Sequence, residues 1–360
     1  MNSADSFSTS YDQARAKFIE AAKAAGGVLE RVVHPEHGPD GQELSTDISW
    51  WGPQDAARVL VLISGTHGVE GYCGSGAQID WMRRGEIATV PEGTGVLMIH
   101  AINPYGFAWD RRVTESNVDL NRNWIDFGKS LPENHDYVTL ADAICPASWG
   151  ADAQQRAFGE LMKFVAARGM PAFQQAISGG QYTHPRGLFF GGAGPTWSRR
   201  TQTEIFRSRL GKAARIAIID YHTGLGPWGF AEKIVPLAPD SAAFRRARNW
   251  FGATVTSPVS GTSTSADIAG DGLSAAVQLL GHAEVTCVAL EFGTKPVMDV
   301  LTALRADAWL HAHGDLRSAM GRDIKRQIRD AFYGDTDDWK GMVAGQSLLT
   351  CREAMAGLHA

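Results

Sequence analysis

The sequence predicts an α/β protein, a three-layer α/β/α sandwich around a mixed, mostly parallel sheet. Three observations carry this. Continuous apolar runs recur along the chain: RVLVLISG at 58–65, GVLMIHAINP at 95–104, RIAIID at 215–220 and EVTCVALEFG at 284–293. Uninterrupted β-branched and apolar runs of this length suit strands buried on both faces. Segments with helical spacing separate them, and strands alternating with helices imply parallel pairing through crossovers. The chain also has the length and composition for a large core: 360 residues, 44% apolar and 20% charged. A chain of that size buries roughly 75% of its unfolded surface, and its apolar content excludes disorder.

Taken in order, the first 25 residues carry a helical pattern around Phe18, Ala21 and Ala22. Strand-like runs follow at 28–34 and 44–51, before the buried run at 58–65. A helix is predicted over 74–84, and the run at 95–104 closes on Asn-Pro. Residues 154–168 and 196–210 read as amphipathic helices. After the strand at 215–220, KIVPLA at 233–238 reads as a further strand and 240–251 as a helix. The Gly/Ser/Thr-rich stretch 256–274 is a long loop, and loops of that length are often functional. The strand at 284–293 precedes one or two helices over 296–333. No internal repeat or low-complexity linker interrupts the chain. The reading is a single catalytic domain over 1–360, with 295–360 as its helical C-terminal extension.

The formal charge of −5 argues against a nucleic-acid partner, which wants a basic surface. The N-terminus shows no basic start leading into an apolar stretch, and no run approaches 18 apolar residues. No membrane partner is expected. Cys73, Cys145, Cys287 and Cys351 are far apart and form no C-x-x-C pair, against a thiolate metal site or a disulfide framework. Reduced cysteines in a cytoplasmic enzyme are the simplest expectation.

Chemistry-bearing residues gather at strand ends, where ligand sites of α/β sheets lie. His67 and Glu70 form H-x-x-E just beyond the strand at 58–65, and His222 follows the strand at 215–220. Two imidazoles and a carboxylate suit a catalytic zinc ion with one position open to water. Asp220, two residues before His222, is placed to orient a ligand or a substrate group. H-x-x-E alone is a weak signal, and a strand-end His is more often simply packed and hydrogen-bonded. Arg111, Arg112, Asn121, Arg122 and Asn123 crowd the region after the strand at 95–104. Arginine is the usual bidentate partner of a carboxylate, though a solvated loop with a structural Asp119–Arg pair would look similar. Glu291 lies inside an apolar strand run, where an acid is costly unless paired or functional. Beside a metal site it would be a natural general base.

The order of these segments resembles the carboxypeptidase A-like superfamily of zinc peptidases and its amidohydrolase relatives. H-x-x-E (His67, Glu70) is followed by N-P-x-G (Asn103, Pro104, Gly106), an Arg before V-D-L-N-R-N-W (Val118 to Trp124), His222 and Glu291. The resemblance covers about residues 58 to 294. D-Y-H-T-G around His222 is closer to the succinylglutamate desuccinylase and aspartoacylase branch. The segment from Gly180 to Gly192 resembles a bacterial zinc-carboxypeptidase-like branch. The resemblance implies a phosphorylase/hydrolase-like fold and one Zn2+ ion on His67, Glu70 and His222. It implies Arg112 as the arginine polarising the scissile carbonyl, with Arg111 as the fallback. It implies Asn121 and Arg122 as the binders of a substrate carboxylate, and Glu291 as the general acid/base. Two departures stand out. No Tyr lies between His222 and Glu291, leaving Tyr182 or Tyr105 to reach in, and position 117 is Asn where the motif often has Gly.

The expected function is therefore zinc-dependent hydrolysis of an amide next to a free carboxylate, in a small molecule or short peptide. An N-acyl-amino-acid deacylase is the close alternative. A metal- or ligand-binding protein without catalysis is the alternative from another class, and a metal-free hydrolase is a further one. The sequence says nothing of oligomeric state. Gly224-Leu-Gly-Pro-Trp-Gly229 matches G-x-G-x-x-G, but Pro227 interrupts where the dinucleotide fingerprint needs a helix. No G-x-S-x-G marks a serine hydrolase. Cys73 is expected to be buried, His184 and Arg186 are candidate pocket or loop residues, and His311 and His313 are expected on a helix surface. Asp267 and Asp271 fit either a preference for a basic side chain or turn roles.

Overall fold

A computed structural model of the chain describes residues 2–360. In order, the elements are α1 (Tyr11–Ala24), β1 (Val28–His37), β2 (Glu43–Trp51), β3 (Arg58–Ile63), α2 (Gly71–Arg83), β4 (Thr94–His100) and α3 (Pro104–Ala108). Then come α4 (His135–Ile144), α5 (Ala151–Ser178), α6 (Trp197–Leu210), β5 (Arg215–Trp228), β6 (Ala231–Ile234) and α7 (Ala242–Phe251). The chain closes with α8 (Gly272–Leu279), β7 (Glu284–Gly293), α9 (Val297–His313), α10 (Ala319–Phe332) and α11 (Asp337–His359).

Among the described residues, seven strands form one sheet in the order β1-β2-β4-β3-β5-β7-β6. The core strands β4, β3, β5 and β7 run parallel, and β1, β2 and β6 are antiparallel to their neighbours. The side-chain period of two divides β3 between two layers. Leu60 and Leu62 face Phe18, Trp81 and Trp339 on one side. Val59, Val61 and Ile63 face Phe206 and Leu273 on the other. This is the expected α/β/α sandwich. A third apolar cluster, from α4, α5, α9 and α10 with Val69 and Phe189, sits apart from those two layers.

The structure moves several boundaries. β6 stops at Ile234, two residues before Pro236, which has no N–H to give a ladder. β5 runs on to Trp228, well past 220. The helix read at 154–168 extends to Ser178, broken at Gly169 (φ +82°) just before Pro171, as expected where Pro blocks a helical hydrogen bond. The C-terminal segment is no appendage. α11 packs on α2, β5 and α7, and Trp339 is fully buried and donates from Nε1 to Gly293 O at 2.9 Å.

Candidate active site

Two chain segments are strapped together before any chemistry arises. Asn103 Oδ1 accepts from Gly106 N at 2.9 Å, which turns the chain after β4. A Cβ on Gly68 would stand 2.0 Å from the Gly106 carbonyl carbon, so the two backbones meet only because residue 68 is glycine; a Cβ on Gly106 would instead crowd Val113 O at 2.6 Å. Gly68 N and Val69 N donate to Arg112 O and Arg111 O at 3.1 and 2.8 Å. The turn carrying His67 and Glu70 is thereby fixed beside the arginine segment.

His67, Glu70 and His222 converge. His67 Nδ1 lies 3.0 Å from Glu70 Oε1, and His222 Nδ1 lies 3.0 Å from Glu70 Oε2 and 3.2 Å from His67 Nδ1. All three residues are buried, and one ligand atom from each falls within 4.8 Å of the others. The far nitrogen of each imidazole meets a carboxylate: His222 Nε2 lies 3.0 Å from Asp220 Oδ2, and His67 Nε2 lies 3.2 Å from Asp119 Oδ1, with Arg112 Nη2 also 2.8 Å away. Thr66 Oγ1 donates to Asp220 Oδ1 at 2.8 Å. That is the outer-shell arrangement that fixes ring orientation and tautomer in metal-binding histidines. Three inward donors with oriented backs fit one zinc ion.

Asp119 ties the site together. Its carboxylate accepts from Arg112 Nε at 3.0 Å and Asn121 N at 2.9 Å, and lies 3.7 Å from Arg122 Nη1. Burial would raise its pKa, but Arg112, Arg122 and His67 hold it well below the usual range. Burial would also raise Glu70, yet His67, His222 and Arg112 keep it low. Arg112 reaches Glu70 Oε1 at 2.8 Å. Arg112 and Arg122 both stack on Phe189, at 5.3 and 5.2 Å from the ring centre. Asn121 Oδ1 accepts from Gly272 N at 3.0 Å, and Asn121 is part of the cavity lining.

Glu291 on β7 stands in register with His222 on β5. Burial first, and then the charge of Glu70, push it up to about 8. Leu225 N donates to Glu291 Oε1 at 3.0 Å. The glycine motif at 224–229 enters here as backbone shape: β5 continues through it, and Gly224 (φ +121°) lies against the Phe332 ring. His67, Arg112, Asn121, Arg122, His222 and Glu291 all line one cavity of about 460 Å³, a typical size for a small-molecule site.

Other expectations need correction. Arg111 does not line this cavity. It is buried, with Nε on Asp307 Oδ2 at 3.0 Å and Nη2 on Asn117 Oδ1 at 2.9 Å, away from the cavity where a substrate-binding role was expected. Neither tyrosine supplies the missing hydroxyl: Tyr182 donates to Arg122 O at 2.6 Å, and Tyr105 stacks on Trp109. His184 and Arg186 line a separate cavity of about 260 Å³. His311 is half-buried beside Asp307 rather than on the surface, whereas His313 is exposed. Cys73 is buried, and burial raises its thiol well above the ordinary value. Asn117 in place of Gly is explained by its φ of +59°, which Asn tolerates better than most residues. Asp271 caps α8 through Ser274 N at 2.7 Å, and Asp271 and Asp267 both line the cavity.

Sequence reasoning passed over three residues. Asp119 looked like an ordinary partner of a loop arginine. Phe189 lies inside the 180–192 segment, where it did not stand out. Glu232, in register with Glu291 on β6, is buried and accepts from Thr256 Oγ1 at 2.6 Å and Thr264 N at 3.2 Å, which holds the 256–271 loop over the cavity. Glu232 stands just before the strand-like run at 233–238, outside it, so the signal that marked Glu291 did not reach it.

Residues 7–346 match the family described as "Protein of unknown function (DUF2817)". A search of curated proteins gives no match. Among solved structures, the chain is similar to bovine thrombin-activatable fibrinolysis inhibitor in complex with tick carboxypeptidase inhibitor. The TM-score is 0.50 at 9% identity, over 98% of this chain and 97% of that one, which shows a shared fold. It is also similar to carboxypeptidase A from Helicoverpa armigera (TM-score 0.46, 12% identity, 90% of this chain and 74% of that one). An aspartoacylase family protein from Mesorhizobium loti is similar at a TM-score of 0.38 and 12% identity, over 81% and 68%. No helix among the described residues is long and apolar enough to cross a membrane.

Proposed function

We propose that this chain, which belongs to the DUF2817 family, is a zinc-dependent hydrolase that cleaves an amide bond next to a free carboxylate. The observation that carries the reading is the inward convergence of His67, Glu70 and His222, each imidazole backed by a carboxylate, with Glu291 in register beside His222. The bovine protein that shares the fold is one held by a carboxypeptidase inhibitor, which agrees with it.

His67 and His222, through Nδ1, and Glu70 would hold the ion. A bound zinc supplies Lewis acidity and lowers the pKa of a coordinated water to about 7. Arg122 and Asn121 anchor the substrate carboxylate: both line the cavity, and the Arg122 guanidinium is oriented by Ser178 O and Asn121 O and lies 3.7 Å from Asp119. Arg112, held by Glu70 and Asp119, steadies negative charge developing on the carbonyl oxygen. Glu291 takes a proton from the attacking water and passes it to the leaving nitrogen. Its buried setting, which favours the protonated form, suits the second half of that task, and a nearby cation favours the ionised form needed for the first.

The test is a panel of N-acyl amino acids and dipeptides, run on zinc-loaded protein with a chelated control. Release of free amine that depends on zinc is expected. Full activity in protein freed of metal would contradict the proposal.

A further inference from the structure

The cavity has two unlike ends. One surrounds Asn121 and Arg122, where oxygen-bearing side chains sit among apolar ones: Ile177 beside Ser178, Leu273 beside Gly272, and Phe189 against Arg122. Gly180 and Gly270 lie against Arg122, Gly272 N bonds Asn121, and Ser178, Thr264 and Asp271 add oxygens to the wall. The other end adjoins His222 and Arg112. Phe332 covers Gly224, and Thr223 Oγ1 donates to Phe332 O at 2.6 Å. Leu304 lies with Phe189 beside Arg112, and Met298, Val300 and Leu301 of α9 continue the wall. Apart from Thr223, whose hydroxyl is spent on Phe332 O, these wall side chains are apolar. Along α9, Asp299 N and Val300 N are bonded to Pro296 O and later amides are spent within the helix, which leaves only the N–H groups of Val297 and Met298 at its first turn.

If the carboxylate sits on Asn121 and Arg122 and the carbonyl beside Arg112, whatever continues past that carbonyl meets the apolar wall. A peptide would bury amides there without partners, and each such loss costs about tenfold to a hundredfold in affinity. A second carboxylate, as in a succinyl group, would have to compete with Glu70 and Asp119 for Arg112. We propose that the substrates are N-acyl amino acids whose acyl group is apolar, a medium-length alkyl chain or an aryl group. This rests on the hydrolase reading above. In the reaction the acyl C–N bond breaks. The oxygen of water bonds the acyl carbon and one proton goes to nitrogen, so the products are a simple carboxylic acid and a free amino acid, with no further reactant.

The experiment compares N-acetyl-, N-butanoyl-, N-octanoyl-, N-benzoyl- and N-succinyl-alanine with alanyl-alanine on zinc-loaded protein. A buried methylene is worth about fourfold. With about half of the six added methylenes on the wall, kcat/KM for octanoyl over acetyl should rise about sixtyfold. The succinyl compound and the dipeptide should not exceed acetyl. Leu301→Trp, which fills the wall, should cut the octanoyl-to-acetyl ratio by about tenfold or more. Calorimetric binding of octanoyl- and acetyl-alanine to the wild-type protein reads the same preference without turnover. Hydrolysis with no gain from acetyl to octanoyl would overturn the acyl proposal and leave the hydrolase reading standing. If no amide is cleaved, the hydrolase reading fails, and calorimetry still decides: octanoyl at least about tenfold tighter supports the apolar subsite, and equal binding overturns it.

Discussion

Replacing Asp119 with Asn removes a charge and keeps the shape. In the structure this carboxylate meets Arg112 Nε at 3.0 Å, Arg122 Nη1 at 3.7 Å, His67 Nε2 at 3.2 Å and Asn121 N at 2.9 Å. The Asn oxygen can still accept from Asn121 N, but an amide opposite Arg112 cannot balance two buried guanidinium groups. Breaking a buried ion pair costs about 3–5 kcal/mol. Arg112 keeps Glu70 at 2.8 Å, which places the loss near the lower end, about 3 kcal/mol. Unfolding entropy is about 2.1 cal/mol/K per residue, so over 360 residues that loss lowers Tm by about 4 °C. His67 also loses the carboxylate that sets its ring, and removing such a partner weakens metal binding by about 10–100-fold. Scanning calorimetry with and without zinc, and chelator competition for affinity, measure the two effects separately. An affinity within about threefold of wild type and a Tm within about 1 °C would refute the reasoning.

Other predictions concern more distant parts of the site. Asp307→Asn should destabilise the protein by about 3–5 kcal/mol, because it strands buried Arg111 and Lys325. Burial would raise Asp307, but Lys325, Arg111 and His311 hold its folded pKa below the unfolded value near 3.8. Its stabilisation is therefore present above that value and lost as pH falls below it. Urea titrations from pH 3 to 7 should show a shallower acid loss in Asp307→Asn than in wild type. Gly224→Ala should cost about 1–3 kcal/mol, since φ is +121° and the new Cβ would stand 2.8 Å from Phe332 Cε1. It should also lower kcat by shifting the Leu225 N–H that holds Glu291, and steady-state kinetics on the folded variant would show unchanged kcat if that contact is idle.

What the sequence made legible follows from what a sequence can report. Apolar runs give burial, so β3, β4, β5 and β7 were readable. An acid or imidazole at the end of such a run stands out against its surroundings, so His67, His222 and Glu291 were readable too. Partnerships across the chain were not. Arg111 and Arg112 are adjacent and chemically identical, yet one meets Asp307 from α9 and the other meets Glu70 and Asp119. Asp119 draws its partners from both the His67 turn and its own loop, and no local pattern marks such a hub. Tyr182 has a hydroxyl suited to a pocket, but the Arg122 carbonyl takes it. His311 lies on a helix with charged neighbours and is half-buried because Lys325 of α10 also converges on Asp307. β6 ended early because Pro236 cannot extend a ladder, a local rule outweighed in the reading by the apolar run around it.

The central claim is that His67, Glu70 and His222 hold the metal while Glu291 moves the proton. Glu291→Gln tests it most directly, with zinc content and turnover measured on the same preparation. The account predicts one zinc per chain, as in wild type, and a fall in kcat by about 10²–10³ or more. A zinc-loaded Glu291→Gln protein with near wild-type turnover would contradict it.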